Sequence, residues 1–445
     1  MISDVAPCRS FDLLPFMLRR VSDIEMNGVD LNEVLLAVEK AAPVDAVEAV
    51  TRSVGVNLGA LWVSFLVADM SGRALVRLVH VPIGDMPDGR RQDQDLAVVL
   101  PFDGGPQEQA LRTQQVLVEH AGDHHVVRAP VTQRGEAIGL LEIAVPAAPT
   151  DAVAQQVSRA AHTLAFVVIA NRRHTDLFEW GQRTTAFTLA AEIQRRLLPS
   201  SFTCEADSFT LAGWLEPAAS IGGDTFDYSL ARDLLHLSIT DAVGHGVHSA
   251  LTATLCVGGL RNARRSGGTL LEQAQAAHEA LVANAAAGSP FATGLLGRLD
   301  LSTGILAVVN AGHPAPLLVR DRAVQPVVLP INRPFGVRPA APYRAAEVEL
   351  QAGDRFVLLT DGMLERGAAA LDLPARLLHL SALHPREVVR LLGDLVLEVA
   401  GPVLPDDACL LVLDWHGGHG DTRRTAAGAD HHRASKSLPP IASRR

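Results

Sequence analysis

Four aspartates in the second half of the chain lie at the ends of apolar segments, close to glycine or to another acidic residue. They are Asp224, Asp241, Asp361 and Asp406. A carboxylate at the rim of a buried strand is costly unless it is capped, paired or bound to a cation. Each one alone is typical of a turn or a helix cap, but the four together favour a shared metal site.

The available ligands limit which metal such a site would hold. Oxygen donors without cysteine or a clear histidine pair favour Mg²⁺ or Mn²⁺ over zinc. Water bound to such an ion has a lowered pKa, so that hydroxide is available near neutral pH.

Glycines accompany two of these aspartates, in Gly222-Gly223-Asp224 and in Gly244-His245-Gly246. Without a Cβ, they let the backbone approach a metal or take up a positive φ. A helix predicted to begin near residue 247 would direct its N-terminal amides towards an anionic phosphate. The alternative interpretation is that these are ordinary turn glycines.

The elements around the aspartates predict an α+β fold for residues 200–415. Short strands dominate this region, and helices are predicted at residues 247–263, 269–286, 373–380 and 385–399. Helices grouped between runs of strands favour sheets covered by helices over a parallel doubly wound sheet. After residue 415 the chain is rich in Gly, His, Arg, Ser and Pro, so residues 416–445 are predicted to be a disordered tail.

The first half of the chain has a different pattern. Residues 1–44 form an N-terminal extension with a predicted helix at 31–40. A helix at 45–56, strands at 60–67, 74–81, 126–131 and 137–145, and a closing helix follow. Over residues 45–170 this order resembles a GAF-like α/β sensor domain, although no cysteine, histidine or chromophore motif marks a ligand. A small packing domain without a ligand is the alternative.

Residues 171–199 are predicted to form a helical linker between the two halves. Ala186, Leu189, Ile193 and Leu197 form an apolar stripe at helical spacing, and Pro199 ends the helix. The stripe is consistent with a homodimer through paired linker helices and equally with packing inside one chain. So short a stretch does not decide between them.

Five sequence blocks follow one another between residues 192 and 413. They are Gly222-Gly223-Asp224-x-Phe226-Asp227-Tyr228, Asp241-x-x-Gly244-His245-Gly246, Asn310-Ala311-Gly312-His313-Pro314, Gly353-Asp354 with Thr360-Asp361-Gly362-x-x-Glu365, and Asp406-Asp407. In order and spacing they resemble the SpoIIE/RsbU-type branch of the metal-dependent protein phosphatase 2C (PPM) superfamily. The segment from Ala191 to Pro199 is similar to that family's helix before the catalytic domain.

The resemblance implies a phosphoserine/phosphothreonine protein phosphatase, built as a β-sandwich flanked by helices, with two Mn²⁺ or Mg²⁺ ions bridged by a water. By motif position it implies five metal ligands, namely Asp224, Asp241, the backbone carbonyl of Ala242, Asp361 and Asp406. Asp224 and Asp241 would be the catalytic pair, with Asp241 between the ions. Asp406 is preferred over Asp407 as the ligand of the second ion.

Other residues of the motifs have open roles. Asp227 would orient a ligand or contact a metal, and Asp407 would lie beside the ligands. His245 would protonate the leaving serine oxygen or make a structural hydrogen bond, whereas the turn around His313 favours a structural role. No arginine matches the one with which the family holds phosphate, so phosphate binding beyond the metals stays open.

Composition limits the remaining classes of function. The chain has 445 residues, 48% of them hydrophobic, and a net charge of −10. It is too long for one compact domain, and its charge argues against nucleic-acid binding. No apolar run reaches the roughly 18–20 residues of a membrane span, and no signal peptide is evident, so a cytoplasmic protein without a membrane partner is expected. Cys8, Cys204, Cys256 and Cys409 are scattered, which predicts neither disulfides nor zinc.

The leading hypothesis is an active phosphatase regulated by the N-terminal sensor domain. The resemblance suggests that its substrate is a phosphorylated STAS-type anti-anti-sigma regulatory protein in a partner-switching pathway. A second hypothesis is a catalytically inactive binding or scaffold protein with a phosphatase fold. A third, compatible with the first, is a sensor in which ligand binding to the first domain is the main event.

Overall fold

The computed structural model describes residues 31–83, 98–184, 187–216, 222–284, 290–339, 341–364, 371–401, 404, 406–418, 423–425 and 427–435. They form two units with separate sheets and cores, an N-terminal unit (residues 31–182) and a C-terminal unit (residues 187–435). Within these ranges, no helix is both long enough and apolar enough to cross a membrane.

The N-terminal unit is one antiparallel sheet with helices on both faces. Its helices are α1 (Leu31–Lys40), α2 (Ala46–Asn57), α3 (Pro106–Thr113), α4 (Asp151–Asn171) and α5 (Leu177–Gln182), and its strands are β1 (Trp62–Ala68), β2 (Ala74–Pro82), β3 (Val98–Pro101), β4 (Leu117–Ala121), β5 (His124–Gln133) and β6 (Glu136–Val145). The strand order is β3-β2-β1-β6-β5-β4. Alternate residues of each strand point to opposite faces of the sheet. One face packs on α2 and α4 and the other on α3, which gives two apolar layers. The helices and strands predicted for this half are present, and α1 packs on α2 through the buried Val34.

The C-terminal unit contains most of the strands. Its helices are α6 (Leu189–Leu197), α7 (Val247–Arg265), α8 (Leu270–Ala283), α9 (Leu373–His379) and α10 (Pro385–Ala400), and its strands are β7 (Thr203–Glu205), β8 (Phe209–Glu216), β9 (Asp224–Leu230), β10 (Leu234–Ala242), β11 (Ala292–Asp300), β12 (Ile305–Ala311), β13 (Leu317–Arg320), β14 (Ala323–Pro326), β15 (Ile331–Asn332), β16 (Ala346–Glu349), β17 (Arg355–Leu359) and β18 (Ala408–Trp415). One sheet has the order β15-β12-β11-β10-β9, with β16 also on β12, and the other has the order β14-β13-β17-β18-β8-β7.

These two sheets pack face to face and have helices outside them. Alternate residues of β9, β10, β17 and β18 point inward and share one apolar core. The outward residues of the first sheet pack on α7 and α8, and those of the second sheet pack on α9 and α10. The expected α+β sandwich flanked by helices is therefore confirmed for this unit.

The prediction of one continuous helix over residues 171–199 is wrong. Helix α4 ends at Asn171, and two short helices, α5 and α6, follow it. The Thr188 hydroxyl caps a new helix by accepting a hydrogen bond from the amide of Ala191 at 3.2 Å. The buried face of α6 carries Ala190, Ala191 and Gln194, whereas Leu189 of the predicted stripe is 64% exposed. Ala186 lies outside the described residues.

The predicted disorder of the tail is also incorrect where the structure describes it. Arg423 and the Asp430 amide both donate to the carboxylate of Glu205, at 2.6 and 2.8 Å, and Ala429 is buried. The amide of Gly135 in the N-terminal unit donates to the carbonyl of Gly428 at 2.9 Å. Polar composition alone suggested disorder because the buried acid that orders this segment is distant in sequence.

Candidate active site

Two of the predicted ligands end the inward rows of the first sheet. Asp224 and Asp241 lie directly opposite each other in the antiparallel pair of β9 and β10. The pair Phe226 and Ile239, two residues further along the strands, faces the same way and is fully buried in the sandwich core. Because side chains alternate along a strand, both carboxylates lie on the core-facing side at one end of the sandwich.

The second sheet brings polar groups to the same end. The inward row of β17 continues into Thr360, whose hydroxyl donates to Oδ2 of Asp224 at 2.6 Å and accepts from the amide of Cys409 on β18 at 3.0 Å. Asp361 begins a short 3-10 turn immediately after Thr360. The hydroxyl of Thr360 therefore joins the two sheets where the aspartates meet.

Asp407 organises the backbone of this region. Its Oδ2 accepts hydrogen bonds from Nε2 of Gln194 at 2.6 Å, from the amide of Gly223 at 3.0 Å and from the amide of Asp224 at 3.2 Å. The side chain is 1% exposed. Asp406 accepts from the amide of Asp407 at 2.8 Å. Asp407 thus fixes the Gly223-Asp224 loop, whereas the ligand role of Asp406 stays a prediction.

Gln194 is a positioning residue that sequence reasoning missed. Besides the bond to Asp407, its Nε2 donates to the carbonyl of Asp224 at 2.8 Å, and the residue is 1% exposed. The only available signal was a glutamine inside the lead-in segment, which the sequence interpretation treated as part of a family pattern. Through Gln194, the position of helix α6 is tied directly to the aspartate cluster.

The electrostatics of the cluster fit a cation. Burial, followed by repulsion from Asp241 and Asp407, holds the pKa of Asp224 well above its usual range. Burial and the neighbouring carboxylates of Asp361, Asp406 and Asp407 raise the pKa of Asp241 to about 7. Across the described ranges, no arginine, lysine or histidine forms an ion pair with Asp224 or Asp241. Carboxylates that repel one another in this way suit hard divalent ions.

The side chains do not close around an ion in this conformation. Within the part of the chain that the structure describes, no three histidine, cysteine, aspartate or glutamate side chains form a metal-sized group. The oxygen donors are nevertheless of the kind that Mg²⁺ and Mn²⁺ prefer, and the ligand assignments to Asp224, Asp241, Ala242, Asp361 and Asp406 stay predictions.

The glycines of the site serve two purposes. A Cβ on Gly223 would collide with the carbonyl oxygen of Ala242, and one on Gly362 would collide with the carbonyl oxygen of Asp407. Gly244 and Gly246 have φ angles of +121° and +67°, which other residues rarely adopt. The first pair therefore permits close approach, and the second pair permits the turn into α7.

His245 lies in that turn and is exposed. Helix α7 begins at Val247, as predicted, with Gly246 as its N-cap. The turn places a helix N-terminus directly after β10, the strand that ends in Asp241 and Ala242. The roles of His245 as an acid and of the helix amides as phosphate donors stay predictions.

Asp227 is not part of the aspartate cluster. It faces the helices, where its carboxylate pairs with Arg261 and Arg264 of α7, each at 2.9 Å. The residue is buried, so these two guanidinium groups neutralise a charge that would otherwise be unpaired. Asp227 therefore anchors α7 on β9, and the suggestion that it contacts a metal is wrong.

The structural interpretation of His313 is supported. Its Nε2 lies 3.1 Å from the carbonyl oxygen of Leu359, and its Nδ1 lies 2.7 Å from the hydroxyl of Thr293. Since a carbonyl only accepts, Nε2 carries the proton and Nδ1 accepts from Thr293. Burial lowers the pKa of His313 to about 4, so the ring is neutral near pH 7. It joins β11 to β17 and has no nitrogen left for proton transfer.

The remaining motif residues are structural or lie outside the described residues. Asn310 closes the turn by bonding the amide and the carbonyl of His313, at 2.8 and 2.9 Å. Asp354 pairs with Arg320 at the start of β17, the end opposite Asp361. Glu365 falls among the undescribed residues.

Comparisons with known proteins agree with the motif order. The model of the SpoIIE family (stage II sporulation protein E) matches residues 231–416. The phosphoserine phosphatase RsbP of Bacillus subtilis (strain 168) is 22% identical over 236 residues, which is 51% of this chain and 57% of that protein. The chain thus spans little more than half the length of this relative.

Two solved structures are also similar to this chain. The structure of the RsbU and RsbW domains of Rv1364c from Mycobacterium tuberculosis is 26% identical, with a TM-score of 0.43, over 47% of this chain and 61% of that one. The PP2C phosphatase domain of SpoIIE from Bacillus subtilis, with a fragment of its regulatory domain, is 19% identical, with a TM-score of 0.41, over 47% of this chain and 65% of that one.

The family match starts at residue 231, after the first motif block, so the position of Asp224 rests on the geometry of β9 and β10. From there the match runs through Asp241, Asp361 and the Asp406-Asp407 pair to the end of β18. Residues 231–416 are therefore similar to the SpoIIE family.

Proposed function

We propose that the C-terminal unit is a metal-dependent serine/threonine protein phosphatase that hydrolyses phosphoserine or phosphothreonine on a regulatory protein. The observation that carries this proposal is the gathering of Asp224 and Asp241 from one sheet with Asp361 and Asp407 from the other at one end of the sandwich. The SpoIIE family match and the phosphoserine phosphatase relative support the same activity.

In this proposal Asp224, Asp241, Asp361, Asp406 and the carbonyl of Ala242 hold two Mn²⁺ or Mg²⁺ ions. Such ions lower the pKa of coordinated water and polarise phosphoryl oxygens, which permits direct attack on phosphorus. Asp407, Thr360 and Gln194 keep the ligands in place through the hydrogen bonds described above. The glycines at 244 and 246 leave the approach to Asp241 open for a phosphorylated side chain.

A protein substrate is supported by the surface beside the site. Val243, Val247 and Leu251 are exposed apolar side chains around the start of α7. Apolar patches next to a catalytic cleft are typical of surfaces that bind another protein. We propose a phosphorylated STAS-type regulatory protein as the substrate, because the motif resemblance belongs to phosphatases of partner-switching pathways.

Regulation by the N-terminal unit is part of the same proposal. Its sheet, with helices on both faces, fits a GAF-like sensor domain, and helix α6 connects it to the aspartate cluster through Gln194. A change in the position of α6 would then move the Gly223-Asp224 loop. A cytoplasmic location stays the expectation from the sequence.

The activity is tested by phosphate release from a phosphoserine peptide and from p-nitrophenyl phosphate, with the full chain and Mn²⁺. Asp241→Asn should reduce kcat by at least ~100-fold, and EDTA should abolish turnover, because the carboxylate and the ion act together. Asp233→Asn is the matched control, since Asp233 is exposed at the other end of β10.

Full activity in Asp241→Asn, or in EDTA, would end the proposal. If the wild-type chain releases no phosphate but still captures the phosphopeptide without metal, the binding or scaffold function replaces catalysis. Equal losses in Asp241→Asn and Asp233→Asn would point to damage of the fold and contradict the assigned role of Asp241.

A further inference from the structure

The turn between β1 and β2 (residues 69–73) reaches from the N-terminal unit to the C-terminal unit through Arg73. Nε of Arg73 donates to Oδ1 of Asp394 on α10 at 2.8 Å, and its Nη1 and Nη2 both donate to Oε2 of Glu216 on β8 at 3.1 Å. The Arg73 side chain is only 19% exposed. One guanidinium group of the first unit is thus shared by two carboxylates of the second.

Of the two acids, Glu216 depends more on this arginine. Asp394 has a second partner in Arg390, at 2.8 Å, whereas within the described ranges no arginine, lysine or histidine other than Arg73 pairs with Glu216. Burial raises the pKa of Glu216 and repulsion from Asp394 adds to the rise, while the charge of Arg73 opposes it. Arg73 therefore stabilises a carboxylate that would otherwise lie half-buried beside another acid.

The backbone that carries Arg73 is held in shape by the buried Asp69. Oδ1 of Asp69 accepts hydrogen bonds from the amides of Arg73 and Ala74, each at 2.9 Å. Its Oδ2 accepts from the hydroxyl of Thr184 at 3.0 Å, in the segment that precedes α6. The turn therefore presents its guanidinium group from a fixed position, and it is bonded at the same time to the segment before α6.

Glu216 is the last residue of β8, at the end of the sandwich where the aspartates meet. It lies opposite Ala408 of β18, the residue that directly follows Asp407. Asp407 in turn accepts from the amides of Gly223 and Asp224. A short series of contacts between described residues therefore leads from the N-terminal unit to the Gly223-Asp224 loop.

Close packing does not fix the turn against β8 at this point. A cavity of about 80 Å³ is lined by Met70 and Ser71 of the turn, by Gln194 of α6 and by Leu215 and Glu216 of β8. The turn, α6 and the end of β8 therefore meet around an open space. Because apolar contacts are incomplete there, we expect the ion pair of Arg73 with Glu216 to set the distance between the turn and the strand.

We propose that Arg73 is a positioning residue for the metal site in the other unit. It holds the end of β8 and thereby, through β18 and Asp407, the Gly223-Asp224 loop in the conformation that binds divalent cations. A movement of the β1–β2 turn that withdraws Arg73 leaves Glu216 without its guanidinium partner, and the loop then binds metal more weakly. The link to turnover rests on the proposed phosphatase function, whereas the effect on metal binding is measured separately.

The test measures Mn²⁺ binding to the full chain by isothermal titration calorimetry and, separately, phosphate release from p-nitrophenyl phosphate over a Mn²⁺ titration. Arg73→Met keeps an apolar side chain and removes the charge. The Kd for Mn²⁺ and the Mn²⁺ concentration for half-maximal release should both rise about fivefold, the size of a modest coupling between two sites. The kcat at saturating Mn²⁺ should stay close to the wild-type value, because the proposed ligands are unchanged.

Arg52→Met is the matched control, because Arg52 also belongs to the N-terminal unit but pairs at 3.0 Å with Glu48 of its own helix, on the surface. Its replacement should leave Mn²⁺ binding unchanged. Arg73→Glu should weaken Mn²⁺ binding more than Arg73→Met does, since three acids then meet. Adding Glu216→Arg to Arg73→Glu again places one guanidinium group between two carboxylates and should restore most of the affinity, which general damage to the fold would not allow.

Three results would overturn the inference, namely an unchanged Kd for Mn²⁺ in Arg73→Met, an equal loss of affinity in Arg52→Met, and absence of Mn²⁺ binding to the wild-type chain. If the wild-type chain binds Mn²⁺ but releases no phosphate, a raised Kd in Arg73→Met supports the positioning role, and the phosphatase proposal alone fails. Circular dichroism of each variant establishes that it is folded. If the double variant does not fold, Arg73→Met and its control decide.

Discussion

At the scale of single residues, the aspartate cluster depends on buried polar side chains whose partners are remote. Gln194 donates to Asp407 across 213 positions, and Thr360 donates to Asp224 across 136. If one partner of such a buried hydrogen bond is removed, the other is left buried without a partner, and the free energy of unfolding falls. The arrangement of the aspartates therefore depends on Gln194 and Thr360, which are not themselves predicted ligands.

The first prediction concerns Gln194. Gln194→Leu keeps the volume of the side chain but removes the donor to Asp407 and to the Asp224 carbonyl, so the free energy of unfolding should fall by about 2 kcal/mol. The Mn²⁺ concentration for half-maximal phosphate release should rise, because the Gly223-Asp224 loop loses a support. Urea unfolding and a Mn²⁺ titration measure the two effects.

Gln275→Leu is the control for this experiment. Gln275 is a half-buried glutamine on α8 that donates to Glu279 at 2.8 Å in an exposed hydrogen bond, so its replacement should leave both quantities nearly unchanged. Unchanged stability and metal response in Gln194→Leu would contradict the positioning role.

Residue types and spacing predicted Asp224, Asp241, Asp361 and Asp406 as ligands, because a carboxylate at a strand end is a visible sign of function, and these ligand roles stay predictions. The sequence named Asp407 only as a neighbour of the ligands, whereas it is Asp407 that holds the Gly223-Asp224 loop. Residue types and spacing were not enough for Gln194 or Asp227. Which face of a strand or helix a polar side chain occupies, and what it meets there, depends on long-range packing. Asp227 is one such residue, since its partners lie on α7.

At the scale of elements, the site needs close approach of main chains as well as side-chain chemistry. The 3-10 turn after β17 passes so near to β18 that only glycine fits at position 362, opposite the carbonyl of Asp407. The backbone at Gly362 has no positive φ, so space and not conformation selects the glycine. Gly223 meets the carbonyl of Ala242 in the same way.

The second prediction tests this contact. Gly362→Ala should lower the free energy of unfolding by about 2 kcal/mol, because β18 or the turn must shift. The shift also separates Asp361 from Asp407, so phosphate release should fall. Gly258→Ala is the matched control: Gly258 lies in helix α7 with open space around it, and alanine should stabilise the helix by ~0.5–1 kcal/mol. Equal stability of the two variants would contradict the close approach.

The helices of residues 200–415 were predicted to within a few residues, because their apolar periodicity is strong and caps such as Thr269 mark their starts. The linker prediction failed for a local reason. The apolar residues of the linker keep helical spacing across position 188, although Thr188 ends the preceding segment and caps a new helix. Periodicity does not reveal such interruptions, since the capping bond is a single side-chain contact.

At the scale of the whole molecule, three distant segments meet at Glu205 of β7. His384 of α10 contacts the carboxylate at 3.1 Å, Arg423 and the Asp430 amide donate to it, and the amide of Glu205 donates to the carbonyl of Arg134 in the N-terminal unit. Burial alone would raise the pKa of Glu205, but the hydrogen bonds of His384, Arg423 and Asp430 lower it from 4.5 to about 2.

The third prediction follows from the direction of this shift. A carboxyl whose pKa is lowered in the folded chain contributes stability above pH 4.5 and loses it as the pH falls towards 2. Arg423→Gln should therefore lower the free energy of unfolding by about 2 kcal/mol at pH 7, and the difference from wild type should shrink below pH 4.5. Guanidinium unfolding at pH 7, 4.5 and 3.5 measures it.

Arg424→Gln provides the matched control, since the neighbouring Arg424 is exposed. It should follow the wild-type chain at every pH. A constant difference between Arg423→Gln and wild type across this range would contradict the role of Glu205.

The order of the two units was predictable from the sequence, whereas this meeting point was not, because Arg423 and Glu205 are 218 positions apart.

Strand β18 lies between β17 and β8 in the second sheet and is preceded directly by Asp406 and Asp407. During synthesis on the ribosome, β8 and β17 both emerge before β18, so the nascent chain carries two strand edges that β18 has not yet paired and lacks the carboxylates of Asp406 and Asp407. Such edges attract chaperones or other strands until they are covered. Chains that end before residue 406 would therefore keep both edges exposed and would be prone to aggregate.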